Sequence, residues 1–236
     1  MTTATPSYKG HRYPVEIINY CVWLYFRFPL SFREVEELML VRGIAVSYAT
    51  IRRWCAKFGQ AYANPLRRRR PRPATSGTST RCSSGSTAGC GTCGARSTST
   101  ANVLDVLVQS RRNAVAAKRF FRKLLKGLRY VPRVLVTDKL GSYQVAHREL
   151  MSSAEHRRSR YLNNRAENSH QPTRQRERPM KRFKSSRHAQ RFLSAFSGIS
   201  AHFRPRRHLL SATEWRTEMA DRFAVWRQVT APDAAA

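Results

Sequence analysis

Residues 74–101 draw on six residue types only: seven Ser, seven Thr, five Gly, four Ala, three Cys and two Arg. These 28 positions hold no Val, Ile, Leu, Met, Phe, Tyr or Trp, and no acid. A stretch of this composition cannot bury a core. At face value it is a low-complexity linker between two blocks of ordinary composition.

Those blocks carry ample apolar material. With 236 residues, 41% hydrophobic and 10% aromatic, the chain suits one medium domain or a small domain joined to a larger one, and not a disordered basic tail. It sets 44 Lys+Arg against 14 Asp+Glu, a formal charge of +30. That charge predicts a polyanionic partner, nucleic acid before an anionic membrane surface. Arginine outnumbers lysine 36 to 8; this suits bidentate phosphate contacts, and a GC-rich coding sequence would give the same bias. No apolar run reaches the roughly 18 residues that a membrane span needs. The opening M-T-T-A-T-P-S-Y-K-G-H-R lacks an apolar signal core, so the expected location is the cytoplasm, with no membrane partner. Five cysteines (Cys21, Cys55, Cys82, Cys90 and Cys93) are an odd count, and no disulfide is expected in a reducing compartment. Cys90 and Cys93 have the spacing of half a metal site, without a second pair to complete it.

The first 65 residues predict a helical domain. After Pro14, V-E-I-I-N-Y-C-V-W-L-Y-F-R is apolar on more than one face, as in a largely buried helix. Ser31 and Glu34 have capping-box spacing and start a second helix, with Val35, Leu38, Met39 and Val41 as its inner stripe and Gly43 as its stop. Ser47 caps a third helix to about Phe58, with Ile51, Trp54 and Cys55 inside and Arg52, Arg53 and Lys57 outside. Helix, glycine turn, helix with exposed arginines is the helix-turn-helix pattern of DNA-binding domains; a small helical domain with a solvated basic face would show the same spacing. R-R-R-R-P-R-P follows at 67–73, a basic linker in which Arg67, Arg68, Arg69 and Arg70 can track a phosphate backbone.

From Asn102 the pattern becomes α/β. N-V-L-D-V-L-V-Q-S predicts a strand. Asn113 opens a helix to about Leu128, with Val115, Phe120, Leu124 and Leu128 inside. R-V-L-V-T-D predicts a short buried strand ending on Asp138, and L-G-S-Y begins the next helix. A helix from about Asn164 carries Glu167, Arg174 and Arg178, and another covers about 186–199. Strands alternating with helices predict a layered α/β domain over 102–205, followed by a tail at 206–236.

Two carboxylates stand out. Asp138 ends a buried strand, where open α/β sheets place their ligands. Glu167 precedes Arg174 by seven residues, nearly two helical turns, so the two share a face. Carboxylates from separate elements can hold divalent ions for phosphodiester chemistry. Equally, Asp138 could cap the following helix, and Asn164 with Glu167 has capping-box spacing.

Several runs together resemble one family. Y-P-V-E-I-I, S-F-R-E-V-E-E-L-M and V-S-Y-A-T-I-R-R-W resemble the N-terminus of bacterial insertion-sequence transposases of the insertion-sequence-six group. V-L-V-Q-S-R-R-N-A, A-A-K-R-F-F-R-K-L-L-K, V-L-V-T-D-K and Y-L-N-N-R-A-E-N-S-H-Q are similar to that group's catalytic domain. The resemblance covers nearly all of residues 8–226. It implies a ribonuclease-H-like domain whose Asp-Asp-Glu triad binds two Mg²⁺ ions, cutting and joining double-stranded DNA at terminal inverted repeats, usually as an oligomer. Asp138 matches the second Asp, Glu167 the Glu and Arg174 the basic residue after it. The group carries its first Asp within a W-H-L-D-E-like run directly after the basic linker. Thr80 stands at that position here.

The genetic code offers a reason. Ala74 to Cys82 can be encoded GCG ACA AGT GGC ACC TCG ACG AGG TGT. With one G restored ahead of them, the same bases read G-D-K-W-H-L-D-E-V. The same shift turns C-G-A-R-S-T-S-T-A, ending at Ala101, into L-W-R-A-V-D-Q-H-G. Both products are the family's strand sequences, so residues 66–101 read as a basic linker followed by two strands translated out of frame. On this reading the first two strands of the catalytic domain are disrupted, the Cys90/Cys93 pair has no chemical meaning, and the copy is catalytically impaired. The alternative function is a non-catalytic DNA-binding remnant that occupies transposon ends or inhibits an intact transposase.

Overall fold

The computed structural model describes residues 6–69, 79–87, 90–97, 103–109, 113–137, 141–158, 171–177, 180, 183–205 and 207–232. For 79–109 the description is of the backbone alone. The chain forms two compact units. One joins Met1–Arg70 to Ser194–Ala236, and the other is Pro71–Leu193.

The first unit is helical. Helix α1 (Val15–Arg27) buries Ile18, Cys21, Val22, Leu24, Tyr25 and Phe26, as a helix apolar on several faces must. Helix α2 (Phe32–Leu40) starts on the expected capping box: Ser31 Oγ accepts from Glu34 N (3.2 Å) and Ser31 N donates back to Glu34 Oε2 (2.5 Å). Val35 and Met39 are buried, whereas Val41, expected inside, is 84% exposed. It follows the last helical residue and belongs to the turn, so the stripe ends at Met39. Gly43 takes the left-handed conformation (φ +73°) that the turn requires. Helix α3 (Tyr48–Arg68) is capped by Ser47 and runs ten residues past its expected end. Phe58, Tyr62 and Leu66 repeat every fourth residue and extend the buried face through the last turns. Arg67 and Arg68 are therefore helical, not linker.

The C-terminal residues complete this unit. The expected tail contains helix α8 (Ala212–Thr230), started by a Ser211/Glu214 capping box. Its Trp226 meets Tyr62 edge to face, with centroids 5.2 Å apart. Tyr62 OH donates to Asn19 Oδ1 (2.5 Å), while Tyr8 OH and Asn19 Nδ2 reach the Thr230 carbonyl at 2.7 and 3.4 Å. Burial raises the Tyr8 hydroxyl to about 12 and pushes Tyr62 up as well, so both keep their protons. Helix α7 (Ser186–His202) crosses α3 closely through its later residues. A Cβ on Gly198 would come 2.9 Å from the Ala63 Cα, so only glycine permits that approach.

The second unit is built on a five-stranded sheet: β1 (Ser79–Thr87), β2 (Cys90–Ser97), β3 (Val103–Gln109), β4 (Val134–Thr137) and β5 (Glu155–Arg158), in the order β3-β2-β1-β4-β5. β1, β2 and β3 pair antiparallel, and β4 and β5 run parallel to β1. Much of the stretch expected as a linker is thus strand backbone at the middle of the sheet. Strand pairing uses backbone groups that every one of its residues carries, and it does not require large side chains.

Helix α4 (Ala114–Leu128) starts at Asn113, whose Oδ1 accepts from Ala116 N at 2.9 Å. Phe120, Phe121 and Leu124 pack with Leu135, and with Tyr143 and Ala146 of helix α5 (Gly141–Leu150). Val115, expected on this face, is 62% exposed, because Ala117 holds the place one turn before Phe120 and Phe121. Helix α6 (Gln171–Glu177) follows β5.

Candidate functional site

Two groups of residues carry chemistry, one in each unit. In the helical unit, Ile51, Trp54, Cys55 and Phe58 fix one side of α3 in the core, and the other side presents Arg52, Arg53 and Lys57 to solvent. Arg53 donates to Thr50 Oγ1 (3.2 Å), and the Arg33 guanidinium lies over the Tyr48 ring at 5.5 Å. The four arginines expected along phosphate are not alike. Arg67 donates to the Ser194 carbonyl and to Ser197 Oγ (2.6 Å), a tie within the fold. Arg68 and Arg69 are exposed, with Arg69 bonded to Gln228 Oε1 at 3.1 Å; Arg70 lies outside the described residues.

Beside this face sits His11, which the sequence reading did not single out. A turn through Gly10 (φ +80°), closed by His11 N donating to the Tyr8 carbonyl (3.1 Å), folds the imidazole onto α3. Its ring lies 5.3 Å from that of Phe58, its Nδ1 accepts from Trp54 Nε1 (3.3 Å), and its Nε2 is 2.9 Å from Lys57 Nζ. Burial, then Lys57 and Arg53, lower its pKa.

In the sheet unit, β4 brings the chain to the expected carboxylate: Leu135, Val136 and Thr137 are buried. Asp138 and Glu167 themselves lie outside the described residues. Arg174 is on α6, with its backbone alone described. Thr80 is on β1, in register with Leu135 of β4. Cys90 and Cys93 both fall on β2, paired with Thr87 and Ser84 of β1.

The end of β4 is held by a chain of contacts that crosses to β5. The hydroxyl of Thr137 is 2.8 Å from His156 Nε2. The His156 ring stacks on His147 with centroids 4.6 Å apart, and His147 Nε2 donates to the Ala154 carbonyl (2.7 Å). Burial, His147 and Arg158 together lower His156 to about 4, so it is neutral at pH 7. Helical spacing could not have paired His147 with His156. What joins them is β5, whose E-H-R-R has no strand alternation to announce it.

Residues 98–206 match a family model described as a DDE domain, and the match supports a DDE transposase of an insertion-sequence family. No curated protein matches the chain. Such domains generally use divalent metal ions. By sequence, S-T-R-C-S-S-G-S-T on β1 contains hydroxyls, a thiol and a guanidinium and no carboxylate. Among the described residues no group of three His, Cys, Asp or Glu could hold a metal, and no helix is long and apolar enough to cross a membrane.

Proposed function

We infer that this chain descends from an insertion-sequence transposase, binds double-stranded DNA at the element's ends, and is impaired in cleavage and strand transfer. The observation that carries the reading is where the family match falls. It starts at residue 98, as the Ser/Thr/Gly-rich segment ends, and spans both Asp138 and Glu167. Likeness to the family thus resumes where the proposed reading frame resumes.

The sheet supports the same reading. β1 is central and parallel to β4, which agrees with the place expected of the first strand in a ribonuclease-H-like domain. Thr80 occupies the first aspartate's position by sequence, and its hydroxyl cannot replace a carboxylate's charge. Asp138 and Glu167 would be the remaining ligands, and Arg174 would hold a phosphate. In the helical unit α2, the Gly43 turn and α3 act as a helix-turn-helix, with Arg52, Arg53 and Lys57 facing DNA and Arg68 to Arg70 adding phosphate contacts. The absence of a carboxylate on β1 favours, for this copy, the role of a DNA-binding remnant that occupies element ends.

The test compares the chain as it stands with one whose residues 74–101 are restored to frame, on DNA carrying the ends that flank the gene. Both should bind with a steep salt dependence, and only the restored chain should cleave with Mg²⁺. Cleavage by the chain as it stands would overturn the impairment. Failure of both to bind would overturn the DNA reading.

A further inference from the structure

The contacts of His11 contain a contradiction that an anion would resolve. Trp54 is 2% exposed, and its indole N–H can only donate. It donates to His11 Nδ1, so Nδ1 carries no proton and the neutral ring must carry its proton on Nε2. Turning the ring over would aim the indole at carbon and leave a buried donor without an acceptor. His11 Nε2–H therefore points at the Lys57 ammonium, 2.9 Å away, and neither group can accept from the other. Among the described residues Lys57 has no carboxylate partner in an ion pair, and its ammonium otherwise lies over the Phe58 ring at 5.0 Å. Arg53, also exposed, adds positive charge to the same spot.

Two donors that converge without an acceptor form half of a hydrogen-bonded site. A phosphate oxygen completes it, accepting from both, as an ion pair with lysine and as a charge-assisted hydrogen bond from the neutral imidazole. We propose that His11 Nε2–H and Lys57 Nζ form a phosphate site at the edge of the α3 face, and that a DNA backbone phosphate fills it. The partner's identity rests on the DNA-binding reading given above; the donor pair does not. The site makes residues 8–11 a clamp beside α3: the Gly10 turn and the Trp54 bond set the imidazole before any ligand arrives. The lowered pKa of His11 agrees with a neutral ring.

The test uses the full chain and two variants. His11→Asn keeps an oxygen near Nδ1 to accept from Trp54 and removes the Nε2–H donor; Lys57→Gln removes the charge. With duplex DNA, H11N should melt like the original and bind about tenfold more weakly, with an unchanged slope of log affinity against log salt. K57Q should lower that slope by about one, since one counterion fewer is released. Nitrogen-15 imidazole spectra should show His11 protonated on Nε2, with that proton moving downfield as duplex is added. Duplex binding by H11N equal to the original, or an Nδ1-protonated His11, would overturn the site. If the original chain binds no duplex, the DNA reading falls by itself. The site is then judged on inorganic phosphate at constant ionic strength: a shift of the His11 Nε2–H signal supports it, and a signal unmoved by phosphate overturns it.

Discussion

At the centre of the helical unit stand Trp54, Phe58 and Tyr62, none more than 2% exposed. At the centre of the sheet stands a strand spelled S-T-R-C-S-S-G-S-T. Both units have regular elements at their centre, and they differ in what those middle elements can bury. Topology and stability are thus separable. Strand order can follow from backbone pairing and from neighbours such as V-L-V-T on β4, while the free energy of folding comes mainly from apolar surface removed from water. On the proposed frameshift, the in-frame segment would add about ten large apolar side chains, each contributing roughly 1.5–3 kcal/mol when buried. That is comparable to the whole net stability of an ordinary domain, about 5–15 kcal/mol.

The largest effect expected comes from restoring the frame over 74–101. Hydrogen exchange in α4 and β4 should slow by an amount equivalent to 5 kcal/mol or more, on the order of a domain's stability, while α1 and α3 stay as they were. Equal protection of both units before the repair would break the contrast. All four tryptophans (Trp23, Trp54, Trp215 and Trp226) lie in the helical unit, so their fluorescence follows that unit alone in urea.

Next comes Trp54→Ala, which should destabilise the helical unit by about 3–5 kcal/mol in the same fluorescence assay. Gly198→Ala should remove about 1–3 kcal/mol, because its methyl meets Ala63 backbone rather than a movable side-chain end. If G198A melts unchanged, the close crossing of α3 and α7 is wrong. Tyr62→Phe should lose about 1 kcal/mol with its bond to Asn19.

The smallest effect is a pH dependence of the sheet unit. Folded His156 titrates at about 4, below its ordinary 6.5, so its contribution is fully present above pH 6.5. As pH falls from 6.5 to 4 the unfolded chain takes up a proton that the folded chain refuses, and stability declines through that window. Exchange in β4 and β5 should accelerate there, and His156→Gln should flatten the change.

Local signals in the sequence translated well where short-range chemistry decides. Ser31 with Glu34, Ser47, Asn113 and Gly43 each terminate an element as their side chains or conformational freedom dictate. Long-range pairing is where legibility ended. β5 is four polar residues whose strand character comes from β4. Helix α8 buries chiefly its last turn (Trp226, Val229 and Thr230), so its sequence has no full-length stripe to read. The Ser211/Glu214 box was there to be recognised. For the site, the exposed side of α3 followed from helical spacing. His11 and the Thr137–His156–His147 contacts did not, since each joins elements far apart in sequence.

The bond from Tyr8 to the carbonyl of Thr230 spans 222 positions. A ribosome making this protein releases α1, α2 and α3 long before α8, their partner. The helical unit is finished solely by chains translated through α8. A premature stop anywhere in the middle, the common outcome of a frame error, would leave α3 without Trp226 and without its polar latch. On the proposed frameshift, a second compensating shift does more than recover the later sequence: it gives the opening residues the partner they pack against.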